Sequence, residues 1–516
     1  MLSAELETAA PEVVAAPLGD LRRVAAVVAA CAIVVYLGAL WNRWAFDDLL
    51  FIAGSDLVHS PSGVWRAFLE PYLPPQLGGY LYRPLVIASY AIDWHIDGTT
   101  WFHAVNILWH AGCAVLVATL AYRWLDGRAA LFAGICFAVH PVHVEAVANV
   151  VGRAELMATG FTLLAVYAAL ERQSVLWCSA AWALGLLSKE NAAVAPLLVM
   201  TAWAMGFRRP SAKTMIVQLG AWLAVGAAYL ALRRHVLAPY SETVILAPVF
   251  VGETWAHAKL TAVASIADVA RLLVVPAKLR ADYSPDERTI VTTVFDGRFV
   301  LGALCALLWL GLLALALRRR RRVEALGLVW IAVAYAPVSN LILPVGVLVA
   351  ERTLYLSSVG LTLAVAAVTR GLSNRTTAAL LGVIAVAGGI RTALRVPVWR
   401  SDLTATLSVL EDSPRSYVGP LIVSARYLEQ HRDSAALRTA EIAAQIFPRE
   451  ARPYLIGAHA AFNLKQLHLA DSLLGRADRF CNPCRGYYDA QAVMAERLGE
   501  PDAARYLTAH AGRLDR

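Results

Sequence analysis

Two adjacent carboxylates, Asp47 and Asp48, stand in WNRWAFDDLLF just where a long apolar block ends. Neighbouring acids at a membrane boundary are costly unless something uses them. One can serve as a general base while the other holds an acceptor or a divalent cation. A second crowd lies in FAVHPVHVEAVANVVGRAEL, residues 137–156, where His140, His143, Glu145, Arg153 and Glu155 follow an apolar run. Pro141 suits the first turn of a short helix, and a spacing of three lets His140 and His143 point at one cavity. All these side chains except Arg153 can ligate metals. The pattern is not HExxH, however, and no further ligands stand at suitable spacing, so no metal is assigned here. Basic groups complete the set: Arg83 beside Tyr82, Arg153, Lys189 beside Glu190, Arg233 with Arg234, and Arg352. A guanidinium fork matches phosphate, and Arg352 and Tyr355 open an apolar block where helix amides add anion affinity. His103, Asn106 and His110 share one helix face by spacing. Carboxylates and arginines together at a membrane surface point to a lipid-linked phosphate.

The elements that must position these groups are membrane helices. The chain has 516 residues, 59% hydrophobic and only 16% charged, with mean hydropathy +0.56. That is too apolar for a single water-facing core. Apolar blocks near 22–44, 102–122, 129–146, 154–171, 174–188, 190–207, 214–232, 299–317, 323–342, 353–369 and 376–392 predict about eleven spans. The first is read as retained, because no basic leader or small-residue cleavage site accompanies it. Putting Arg22 and Arg23 in the cytoplasm leaves the basic clusters at 123–128, 172, 208–213 and 318–322 on that side, which satisfies the positive-inside rule. The domains predicted are a cytoplasmic tail 1–21, a transmembrane domain 22–398 with external loops 45–101 and 233–298, and an external domain 399–516. Residues 258–276, interrupted by Lys259, Asp268 and Arg271, read as interfacial or re-entrant. The net charge of +8 lies mostly in arginines between spans, so it serves topology and implies no nucleic-acid partner.

Behind the last span the pattern becomes polar and helical. Ala436, Ala470 and Ala504 recur every 34 residues, with Tyr454 and Tyr488 and with Ala461 and Ala495 in the same phase. This is the tetratricopeptide (TPR) period, and it predicts an α-helical solenoid whose groove binds a protein or peptide segment. Cys481 and Cys484 fall at a turn between repeats. One CxxC is too few ligands for structural zinc, so an external compartment favours a local disulfide there.

Several motifs together resemble, in the same order, the TMTC family of transmembrane and TPR-containing protein O-mannosyltransferases. They are FDDLLFI with SDLVH, YRPL, WFHAVNILWHAGCAVLV, AVHPVHVEAVANVVGRAELMA, LLSKE, LRADYS, VSNLILPVGVLVAERTLYLSSVG and the C-terminal repeats. The likeness covers nearly the whole chain. It implies an all-α, GT-C-like membrane bundle and mannose transfer from a polyprenyl-phosphate sugar to Ser or Thr of a protein. By position it implies that Asp47 and Asp48 are the family's acidic pair, with Asp47 the base. Arg83, Arg153, Lys189, Arg352 and Tyr355 become candidates for the donor phosphate, and Tyr82, His103, His140, His143, Glu145, Glu155 and Glu190 for the cavity wall. The repeat tail is shorter than in relatives, and the Arg- and Ala-rich composition suggests a bacterial inner-membrane protein.

The chemistry such a site needs is a base for the acceptor hydroxyl and cations for the departing phosphate, with inversion at the sugar carbon. No cofactor is required, although the acidic pair could hold a divalent cation. The rival reading is a non-catalytic scaffold that recruits partners through its repeats. A transporter would show inverted repeats of spans, which the sequence lacks.

Overall fold

A computed structural model describes residues 18–72, 81–239, 246–481 and 484–514. Most of the N-terminal tail, parts of both long loops, and Asn482 with Pro483 lie outside the described residues. Every regular element among the described residues is helical. In chain order these are α1 (Leu18–Tyr36), the short turns α2 (Asp56–His59) and α3 (Gly63–Arg66), α4 (Pro84–Trp94), α5 (Thr99–Trp124), α6 (Gly127–Ala138), α7 (Val144–Ala148) and α8 (Arg153–Leu170). There follow α9 (Val175–Ser188), α10 (Ala195–Ala204), α11 (Ala212–Leu237), α12 (Trp255–Val274), α13 (Gly297–Arg318), α14 (Arg322–Tyr335), α15 (Tyr355–Thr369) and α16 (Asn374–Arg395). The helices start where side chains can satisfy their free amides. Asp126, Ser174, Ser211, Thr254 and Ser373 each accept a hydrogen bond from the backbone N–H three residues on.

Seven helices are long and apolar enough to cross a membrane: Asp20–Trp41, Thr99–Trp124, Val150–Leu170, Ala212–Leu237, Gly297–Arg318, Glu351–Thr369 and Asn374–Arg400. An eighth is added if Gly127–Ala138 and Pro141–Ala148, bent by 47°, form one broken span. This is fewer than the about eleven expected. The remaining three expected spans are α9 and α14, of 14 residues each, and α10, of 10 residues. At about 1.5 Å per residue a 14-residue helix reaches ~21 Å, short of the ~30 Å slab. An apolar block in sequence measures composition, whereas crossing needs unbroken helix. Helix α12 is likewise outside the seven. It packs along α13, with Gly302 of α13 against the Val263 carbonyl, and its Asp268 is held by Arg288 at 2.6 and 2.8 Å.

Burial separates centre from periphery. In Val150–Leu170 and Glu351–Thr369, 83% and 72% of the apolar window is buried, against 11% in α11, α13 and the Asn374–Arg400 span. The centre is tight because small residues meet there. A Cβ on Gly327 of α14 would lie 2.5 Å from the Gly360 carbonyl, and one on Gly360 of α15 would lie 2.3 Å from the Gly327 carbonyl. Backbone approaches this close are how apolar helices associate in lipid.

Beyond Arg400, helices α17 (Asp402–Asp412), α18 (Val418–Glu429), α19 (Asp433–Ile446), α20 (Ala451–Asn463), α21 (Leu467–Ala477), α22 (Arg485–Arg497) and α23 (Pro501–Leu514) pack mostly against sequence neighbours. The residues at the 34-residue spacing are buried in matching helices: Ala470 in α21 and Ala504 in α23, Tyr454 in α20 and Tyr488 in α22. Cys481 and Cys484 are joined as a disulfide. This region is docked on the membrane-domain segments that flank α12. Ser416 donates to Asp282 at 2.6 Å, the Tyr417 amide donates to the Pro285 carbonyl, and Arg449 pairs with Glu253. Replacing Gly360 by Val forces α14 and α15 apart, so it should cost about 1–3 kcal/mol or more. Thermal unfolding in detergent should show a lower midpoint than the wild type.

Candidate active site

The loop after α1 places the two aspartates in opposite environments. Phe46 adopts φ +49°, a left-handed conformation unusual for a bulky residue. It is held there on several sides. Its amide donates to Asp402 of α17 at 3.1 Å, its ring meets Trp399 edge-on at 5.9 Å, and the Arg43 amide donates to the Arg400 carbonyl at 2.7 Å. Next in the chain, Asp47 remains 45% exposed and accepts from the Arg352 guanidinium at 3.2 Å. Asp48 is fully buried instead. Its carboxylate takes the backbone N–H groups of Ala45 (3.2 Å), Val150 (3.4 Å) and Val151 (2.9 Å). The two acids therefore do different things, and they share no third ligand for a cation among the described residues.

The contact with Val150 and Val151 explains the unusual backbone of the HPVHVEAVANVVG stretch. Pro141 opens a single 3-10 turn after the His140 cap, α7 follows for 5 residues, and a second 3-10 turn, Val150–Gly152, leads into α8. Gly152 is required at this crossing, since a Cβ would sit 2.2 Å from the Ala146 carbonyl. The broken path turns Glu145 and Glu155 toward the loop that carries Asp47. Glu145 accepts the Arg352 amide at 2.8 Å, and its carboxylate lies 3.5 Å from the Arg352 side chain. Glu155 pairs with Lys189 and accepts from Asn191 at 3.1 Å. Glu190 accepts two hydrogen bonds from Arg83, at 3.0 and 3.2 Å. Arg83 stands over the Tyr72 ring, 5.3 Å from its centre.

These pairs form one polar site. Arg352 feels the charges of Glu145, Asp47 and Glu155, and Lys189 feels those of Glu155, Arg83 and Arg352. Burial holds the Lys189 ammonium below its ordinary value; Glu155 opposes this, and the two guanidinium groups add to it. Burial alone would raise Glu190, but Arg83 and local hydrogen bonds hold it below the usual carboxylate range. Burial also pushes the Tyr72 hydroxyl up to about 12, against the Arg83 charge. Four carboxylates and three cations thus meet in a single cluster, with Asp47 the most open acid and Glu190 next at 35% exposed.

Seven of the residues singled out from sequence gather here: Asp47, Arg83, Glu145, Glu155, Lys189, Glu190 and Arg352. The other seven serve elsewhere. Arg153, expected at a phosphate, has no exposed surface. Its guanidinium is used up on Asn106 (2.9 Å), Ser89 (3.2 Å), the Phe102 carbonyl (3.0 Å) and Asp93, and it stacks on Tyr90 at 4.8 Å. His140 and His143 do not share a ligand: the first contacts the Leu273 carbonyl at 2.9 Å, the second Ser358 Oγ at 2.7 Å. The Tyr355 hydroxyl bonds His110 at 2.8 Å rather than facing the cluster, and Tyr82 donates to the Phe68 carbonyl at 2.9 Å. His103 is buried within α5 and Asp48 is the strut described above. Sequence reasoning passed over Tyr72, Asn191 and Asp93. The signal for Asp93 was present, since a carboxylate in the apolar PLVIASYAIDW segment requires a buried cation.

Residues 97–231, which carry Arg153, Glu155, Lys189 and Glu190, match the family model described as dolichyl-phosphate-mannose-protein mannosyltransferase. The chain is similar to the TMTC-type protein O-mannosyl-transferases. It is 27% identical over 480 residues to human protein O-mannosyl-transferase TMTC4, covering 80% of this chain and 65% of the relative. It is 24% identical to mouse TMTC3 over 75% of this chain and 47% of the relative. It is 27% identical to the protein O-mannosyl-transferase F38B6.6 of Caenorhabditis elegans, over 66% of this chain and 50% of the relative. The chain thus spans about half to two thirds of these relatives' own lengths. No solved structure matches it.

Burial pushes the Asp48 carboxyl up to about 7, against its backbone hydrogen bonds and with the Asp47 charge adding to the rise. An unfolded Asp titrates near ~3.9, so the folded chain keeps a proton that the unfolded chain has released between the two values. The stability this supplies is full below ~pH 4 and lost as pH rises through 7. Asp48→Asn removes the titration, and its amide N–H₂ group also faces backbone donors, at a cost of about 1–3 kcal/mol. Thermal unfolding between about pH 5 and pH 8 should therefore show a flatter pH dependence in the variant than in the wild type. Equal slopes would remove Asp48 as the titrating group.

Proposed function

We propose that this chain is a multi-pass membrane glycosyltransferase that moves a hexose, mannose, from a polyprenyl-phosphate donor to a Ser or Thr hydroxyl of a protein. The observation that carries this reading is the position of Asp47: an accessible carboxylate held by Arg352 in the same charged cluster as Arg83 and Lys189. The printed names of the relatives support the sugar and the protein acceptor.

The reaction is a single displacement. The acceptor oxygen attacks the anomeric carbon while Asp47 takes the hydroxyl proton, and the bond from that carbon to the phosphate oxygen breaks with inversion. Negative charge develops on the departing phosphate. Arg352 and Arg83 are the guanidinium groups open enough to meet it, 28% and 15% exposed, and their present partners Asp47 and Glu190 are the most exposed acids of the cluster. Arg83 would exchange Glu190 for the phosphate, leaving that carboxylate, 35% exposed, to water. Lys189 stays with Glu155, which is only 2% exposed, and sets the field of the site from behind. Arg153, Asp48 and Asn106 are positioning residues that hold this backbone in place.

The membrane orientation that fits is the one argued from sequence, with the N-terminus in the cytoplasm and the cluster and C-terminal helices outside. Those helices, read as short TPR-like repeats, would hold the acceptor segment above the cluster. Their docking through Asp402 and Asp282 fixes them next to Asp47 rather than leaving them free to recruit distant partners, which favours the enzyme over the scaffold.

Membranes carrying the wild type should transfer labelled mannose from a polyprenyl-phosphate donor to a Ser/Thr-rich peptide. Asp47→Asn should lower transfer about 10²–10⁴-fold while leaving the thermal unfolding midpoint unchanged. Equal transfer by both proteins, or none from any lipid-linked sugar with the wild type, would overturn the proposal. Arg352→Lys should lower the rate as well, because an ammonium cannot keep the forked contact with Asp47 and the phosphate together.

A further inference from the structure

Helix α16 is pinned to the bundle at two points. Near one end Thr392 Oγ1 donates to the Val139 carbonyl at 2.8 Å, with Gly388 close against Val139. Near the other end Thr377 Oγ1 donates to the Thr369 carbonyl at 3.3 Å. Those anchors are 15 residues apart, about 22 Å along the helix axis. Between them α16 leaves a slot of about 600 Å³ against α6, α15 and the Leu273–Ala277 segment. Its walls are apolar, including Val139, Leu361, Val365, Leu380 and Ile384. Arg391 also lines it, one residue before the Thr392 anchor.

Arg391 has no ion-pair partner among the described residues. Its Nε donates to the Ala277 carbonyl at 3.0 Å, and no carboxylate among the described residues lies within ion-pair distance. The charges it feels are Arg395, Glu351 and Asp412. All three are already engaged: Asp412 with Arg395 at 2.5 Å, Glu351 with the Arg280 amide and the Tyr283 hydroxyl at 2.5 and 2.8 Å. An arginine at the membrane-facing edge of an apolar slot, with its outer nitrogens uncommitted, is expensive unless an anion meets it.

From this geometry we infer that the slot holds one chain of an anionic phospholipid, with the phosphodiester against Arg391. The single guanidinium matches the single charge of a phosphodiester. A zwitterionic headgroup would bring a second cation beside Arg391 and Arg395. None of Asp47, Arg83, Glu145, Glu155, Lys189, Glu190 and Arg352 lines the slot, whose walls at that side are His140 on the Leu273 carbonyl and Val139 under Thr392. The groups that perturb Arg352 are Glu145, Asp47 and Glu155, not Arg391. The occupant is therefore a bound membrane lipid that props α16 on the bundle, not the sugar donor, and the inference stands whether or not the chain transfers mannose.

The test is lipid titration of the detergent-stripped full chain, followed by native mass spectrometry, with phosphatidylglycerol and phosphatidylcholine as probes. Wild type should retain one phosphatidylglycerol per chain in preference to phosphatidylcholine. Arg391→Gln should weaken phosphatidylglycerol about tenfold, the effect of one ion pair of ~1.4 kcal/mol, and abolish the preference. Arg375→Gln, at the far end of the same helix, should change nothing. Ala387→Trp should fill the slot and remove binding of both lipids. Equal binding of the two lipids by the wild type, equal losses in the two arginine variants, or displacement of phosphatidylglycerol from the slot by a polyprenyl phosphate would each overturn the assignment.

Discussion

A buried carboxylate that grips three backbone amides holds this site together. Asp48 is fully buried, so its charge or proton is tolerated because Ala45, Val150 and Val151 turn their N–H groups toward it. That grip ties the first loop to the entry of α8. It also fixes the direction of the chain one residue earlier, where Phe46 is held in the left-handed region and Asp47 is turned into the cluster. The strain at Phe46 is sustained from three sides, by Asp402, Trp399 and the Arg43–Arg400 bond. One of two chemically identical neighbours is thus consumed by structure so that the other is free for chemistry.

Around Asp47 the protein stores cations by pairing them. Bare guanidinium groups in a half-buried cluster would repel each other and lose their solvation; each is instead parked on a carboxylate. The depth of the partners differs, and so does the ease of release. Lys189 faces a carboxylate sealed from water, whereas Arg83 faces one that is a third exposed. The guanidinium groups are thus held in place by their carboxylate partners, and any anion that binds must compete with Glu190 and Asp47 for them.

Much of this was legible from the chain. Carboxylates at the end of an apolar block, arginines on the same side of the membrane and glutamates behind the HPVH turn all announced a polar site, because ionisable groups at that depth have few bland explanations. What the sequence could not reveal is which member of a pair turns inward. Asp47 and Asp48 are told apart by partners more than 100 residues away, Val150 and Val151 for the one and Arg352 for the other. Arg153 looked like a phosphate ligand because its partners Asp93, Asn106 and Ser89 come from two other helices and no local pattern connects them. The histidines misled for a related reason: a spacing of three shows that two side chains share a face, not what the face meets. The count of spans fell for a third reason, since apolar composition runs on through breaks that shorten α9, α10 and α14.

The hydrogen bond from the Phe46 amide to Asp402 joins residues 356 positions apart. Because a chain is made from its N-terminus, Phe46 and Asp47 leave the ribosome long before the residue that fixes their geometry exists. The membrane helices can insert and pack while the Asp47 carboxylate is still unaimed. The loop around Asp47 reaches its final shape only when the last domain has begun to fold onto it, so the order of synthesis places membrane packing before this local geometry.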